Sequence, residues 1–99
     1  MNEEVTVIYW RDIPAQVLYG HGHHAIRAEM PKRFQEAIDR AATRAGLLGS
    51  DEYMEQWRKA KMSGESDPVV VARRLEIGLG DEALEELVRN HGHKVSASS

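Results

Sequence analysis

Apolar positions along this chain follow two rhythms, a period of two over the first thirty residues and a helical period after them. Val5-Thr6-Val7-Ile8-Tyr9-Trp10 is β-branched and aromatic, apolar on both faces at its centre, and predicts a strand over 4–10 that is central in a small sheet. At Arg11-Asp12-Ile13-Pro14 the run breaks, because Pro14 has no N–H and holds the residue before it extended. The strand pattern resumes over 15–20, and Gly20-His21-Gly22-His23 marks a turn. Residues 24–30 then alternate His24/Ile26/Ala28/Met30 against Ala25/Arg27/Glu29, the pattern of a strand buried on one face. Links this short make neighbours antiparallel. A three-stranded antiparallel meander is the expectation.

From Pro31 the period lengthens. Phe34, Ala37, Ile38, Ala41, Ala42 and Ala45 form one helical stripe, so a helix is predicted over 31–46 with Gly46 as its stop. Its small alanines imply a close approach to the sheet. Ser50, followed by Asp51 and Glu52, starts a second helix over 50–61, on which Tyr53 and Trp57 lie one turn apart. Residues 61–66 read as a linker. Asp67-Pro68 opens a third helix over 68–78; its Val69-Val70-Val71 run also suits a strand, but Ala72, Leu75 and Leu79 keep helical spacing. Asp81 caps a fourth over 81–91, with Ala83, Leu84, Leu87 and Val88 inward. The fold class is therefore α+β, three strands covered by three to four helices.

Composition narrows the function. The 99 residues make one domain, read as 1–93 with a disordered polar tail at 94–99. With no cysteine there are no disulfides, thiolate metal sites or cysteine nucleophiles, which suits a reducing cytoplasm. No apolar run is long enough to span a membrane, and the acidic start Met1-Asn2-Glu3-Glu4 has the wrong charge for a signal peptide. A formal net charge of −3 disfavours a broad nucleic-acid footprint. Neither a nucleophile elbow nor a P-loop nor a dinucleotide fingerprint is present, and Gly20-His21-Gly22 is too short to cradle phosphate. The expectation is a protein without catalytic activity and without a cofactor.

Three constellations remain. His21, His23 and His24 cluster on one turn while His91 and His93 pair near the end; neutral imidazoles from both could ligate a metal, although a solvated hairpin tip and a helix end explain them more simply. Trp10, Arg11 and Asp12 sit at a strand end, where an Arg fork could take a partner's carboxylate; an Arg–Asp pair that merely organises the turn, with Trp10 in the core, is the plainer alternative. Ile26 to Pro31, then two helices, copies the layout of ribbon–helix–helix DNA-binding regulators. In that layout Ala25, Arg27 and Glu29 would face DNA, and Glu29 carries the wrong charge.

The string Tyr9-Trp10-Arg11-Asp12-Ile13-Pro14, with Arg33-Phe34 and Ala37-Ile38-Asp39-Arg40-Ala41-Ala42, resembles the small bacterial virulence factor domain, which also occurs within the staphylococcal conserved virulence factor C. The resemblance covers about residues 4–90, with the Tyr-Trp-Arg-Asp-Ile-Pro string its most specific part. It implies no particular reaction, ligand or catalytic residue. It does imply an accessory role beside corrinoid- and folate-linked one-carbon transfer, and a cationic turn where this chain has His21, His23 and His24. The expectation is thus a bacterial, cytoplasmic interaction domain with a protein partner, homo-oligomerisation left open. Trp10, Arg11, Asp12, His21, His23, His24 and Arg27 are its candidate contacts. A ribbon–helix–helix regulator and a histidine metal carrier are the alternatives.

Overall fold

The computed structural model describes residues 4–20 and 24–94. Their order is β1 (Glu4–Trp10), β2 (Ile13–Tyr19), β3 (Ile26–Glu29), α1 (Lys32–Arg44), α2 (Asp51–Glu55), β4 (Trp57–Ser63), α3 (Pro68–Gly78) and α4 (Asp81–Arg89). The class is α+β, as the patterns imply. The sheet, however, has four antiparallel strands in the order β3-β2-β1-β4. The expected meander is present as β1-β2-β3, and β4 adds itself to the free side of β1.

That fourth strand corrects the helix predicted over 50–61. Helix α2 stops after five residues, and Trp57 to Ser63 instead pair with β1 one for one, from Trp10↔Trp57 to Glu4↔Ser63. Lys, Arg, Ala and Met are better helix formers than strand formers, so pairing overrides local preference here. Strand β1 thus gains a neighbour on each side. Register assigns Val5, Val7 and Val17 to one face, where they are fully buried. Ile8 and Leu18 fall on the other face, half-buried and outside the core cluster. At Ala15 the register slips, and this bulge lets Ile13 and Pro14 both turn inward. On β3 the inward pattern fades: Met30 is buried, but Ile26 is 56% exposed.

The other helices lie close to their expected bounds. Pro31 is the N-cap of α1 rather than its first helical residue, and Gly46 follows the C-cap at φ 74°. The Gly46 and Leu47 N–H groups reach back to Thr43 and Ala42, a Schellman closure that carries Leu47 into the core. Residues 68–78 are helical, with the Asp67 carboxylate accepting from the Val69 N–H at 2.9 Å. Gly80, not Asp81, is the N-cap of α4. Helix α1 packs chiefly on α4 and also on β2, while α3 covers β2 and β3. No helix among the described residues is long and apolar enough to cross a membrane.

Candidate functional site

The β1–β2 turn is built by contacts from far along the chain. Arg11 takes a left-handed backbone, φ 54°, and its N–H donates to the Gln56 carbonyl. Its guanidinium donates to Gln56 Oε1 at 3.1 Å and to the His91 carbonyl at 2.9 Å, and lies 5.1 Å from the Trp10 ring centroid. The Asp12 N–H donates to the Gly92 carbonyl, and its carboxylate accepts from Arg58 at 3.0 Å and from the Lys94 N–H at 2.6 Å. Arg58 also donates to the Arg11 carbonyl and stacks 4.4 Å from the Tyr9 ring centroid. These bonds knit the turn to the α2–β4 junction and to the segment after α4.

The turn residues serve the fold, as the plainer alternative expects, although not through a mutual Arg11–Asp12 pair. Trp10 is fully buried: its indole N–H donates to the Tyr53 carbonyl at 2.9 Å, and its ring tilts against Tyr53, which meets Trp57 edge-on. It is core and cannot itself touch a partner. Arg11 and Asp12 do not pair with each other; each is half-buried and committed to another element. Tyr9 and Asp12 line a cleft of about 590 Å³ between the turn, α3 and α4. Its apolar wall is Leu75, Leu79, Ala83 and Leu87, with Arg74, Glu86 and Lys94 at the rim. Tyr9, Gln56 and Arg58 are the residues that sequence reasoning missed. Assigning 57–61 to a helix hid Arg58.

Burial pushes the Asp12 carboxyl up, but the Lys94 N–H, the Arg58 guanidinium and the nearby His93 outweigh it and hold its pKa below 3.8. A depressed pKa stabilises the folded chain above 3.8, and that contribution disappears as pH falls through the folded-state value. Asp12→Asn should therefore lower the melting temperature at neutral pH, and the gap from wild type should close on acidification below 3.8. Thermal melts from neutral pH to about pH 2 check this. A gap that is independent of pH would remove Asp12 as the linking charge.

The remaining candidates do not gather here. His24 and Arg27 are exposed beside the β2–β3 link, and Arg27 reaches Gln16 Oε1 at 3.5 Å. This is the far end of β2, some ~20 Å from Asp12 at strand rise. His21 and His23 lie outside the described residues. His91 and His93 are exposed beside the Arg11 turn, at the opposite end of the sheet from His24, so these two described histidine positions cannot share one ion. Among the described residues no group of three or more metal-ligating side chains converges. The ribbon–helix–helix layout fails in a different way. Its second helix is cut to five residues by β4, and β3 is already paired with β2.

The family model described as Virulence factor matches residues 8–98, a span that includes the turn, the cleft and all four helices. No curated protein and no solved structure matches the chain.

Proposed function

The chain belongs to the virulence factor family, and we propose that it serves as a non-catalytic interaction domain whose cleft takes an apolar side chain of a partner protein. One observation carries this. Of the family-like string Tyr9 to Pro14, Trp10, Ile13 and Pro14 are buried and Arg11 braces the turn, leaving Tyr9 and Asp12 to form one wall of the cleft. The opposite wall is a run of Leu and Ala from two helices, the lining expected where a partner's side chain is desolvated. Arg74 and Lys94 against Glu86 give the rim both signs, which suits orienting a protein segment better than drawing in a highly charged ligand. A reducing cytoplasmic setting fits the cysteine-free composition, and a bacterial one is carried by the family resemblance. The accessory role in one-carbon transfer is carried by the family resemblance.

Ala83→Trp would fill the cleft from α4 while leaving the turn intact. Once a partner has been captured from the native cell and purified, its Kd for wild type and variant decides the matter. The expectation is at least about tenfold weaker binding with an unchanged melt. Equal affinity for both chains would move the interface away from the cleft, and substrate turnover by the wild type that Ala83→Trp abolishes would make the cleft catalytic.

A further inference from the structure

We infer that the outer edge of β4 is a second binding surface, one that accepts an acidic, extended segment of another protein as an added strand. The strand lies at the end of the sheet and pairs on one side only, with β1, along its whole length. Among the described residues no backbone hydrogen bond reaches Arg58 to Ser63 from any other element. Arg58, Lys59, Lys61, Met62 and Ser63 are exposed, so a row of backbone donors and acceptors faces outward over a seven-residue strand. Such a row is a template for a further strand. The other edge, β3, is four residues long and carries charges of both signs, Arg27 and Glu29.

Charge selects the occupant. The strand holds Arg58, Lys59 and Lys61 and no acidic residue. Asp12 satisfies Arg58. Lys61 has only a loose contact with Glu4, at 3.9 Å and 72% exposed, and Lys59 has no ion pair among the described residues. A second copy of the chain would be repelled, because antiparallel pairing centred on Ala60 sets Lys59 opposite Lys61 twice, and like charges directly opposite are destabilising. Lysines on an edge guard against neutral and basic strands; by the same physics they leave it open to an acidic one. Lys59 and Lys61 stand two residues apart opposite Ile8 and Thr6, on the face of the sheet away from the core. The matching segment therefore carries carboxylates at alternate positions.

The test is a titration of the isotope-labelled full chain with synthetic peptides, read by amide shifts and hydrogen exchange. A peptide of the same length as β4 that alternates Glu with Val should shift the amides of residues 57–63 and protect the alternate ones whose N–H points away from β1. Methylating its alternate backbone nitrogens should weaken binding about tenfold or more, because strand addition needs those N–H groups. In a Lys59→Glu/Lys61→Glu chain, whose melt should be unchanged at these exposed sites, preference should pass to a peptide alternating Lys with Val. Four results would overturn the inference. They are affinity indifferent to methylation, concentration-dependent protection of β4 without peptide, tighter binding of a single-stranded oligonucleotide at the same amides, and no binding at millimolar peptide.

Discussion

Trp10→Ala should cost about 3–5 kcal/mol and lower the melting temperature by roughly 12–40 °C, the largest effect expected of any single truncation in this chain. Trp10 is fully buried, and it lies at the meeting point of β1, the α2–β4 junction and the segment after α4. Removing the indole opens a cavity in contact with Tyr53, exposes the stacked Arg11 and leaves the Tyr53 carbonyl without its donor. Against a total stability of about 5–15 kcal/mol for a domain of this size, much of the margin disappears. Trp10→Phe separates the two contributions. It keeps most of the volume but loses the indole N–H, so about 1–3 kcal/mol should be lost. Urea denaturation of the three proteins measures both steps. A loss below about 1 kcal/mol for Trp10→Ala would place the indole outside the load of the core.

What could be read in the sequence was local, and what could not was long-range. Asp67-Pro68, Gly46 and the alanine stripe of α1 each declare themselves within a few residues, because caps and faces are short-range chemistry. Strand β4 does not, since Trp57-Arg58-Lys59-Ala60-Lys61-Met62 becomes a strand only beside β1. Even the clue that misled was half right: Tyr53 and Trp57 do meet, ring centroids 6.2 Å apart, although the helix ends between them. The same holds at the turn. Its residues were identifiable as special, but Arg11 finds partners 45 and 80 positions away, and Asp12 finds one 82 away. Two adjacent opposite charges suggested a mutual pair, and the fold uses them separately. A helix end explains the histidine pair in the sequence, but the chain there is also bonded back to the turn, the His91 carbonyl accepting from the Arg11 guanidinium and the Gly92 carbonyl from the Asp12 N–H.

Gly92 makes that connection possible, and Gly92→Ala should destabilise the fold by about 2–5 kcal/mol. Helix α4 closes with a Schellman pair, the Gly92 N–H donating to the Leu87 carbonyl and the His91 N–H to that of Val88. His91 occupies the left-handed position at φ 61°, and Gly92 follows at φ 90°, which an alanine adopts only at a cost of about 1–2 kcal/mol. There is a second cost. A Cβ on Gly92 would stand 2.9 Å from Trp10 Cζ3 and 3.3 Å from Cε3, against a ring the core holds in place, adding about 1–3 kcal/mol of overpacking. Gly46→Ala is the control for the first cost alone, because Gly46 has φ 74° and nothing within 4 Å of where its Cβ would lie. The difference between the two substitutions measures the clash. Trp10→Phe should recover part of it, since the smaller ring lacks the benzo edge that Cζ3 and Cε3 form, and the two substitutions should be strongly non-additive. Equal losses for Gly92→Ala and Gly46→Ala would mean that the ring yields and that only the backbone conformation matters.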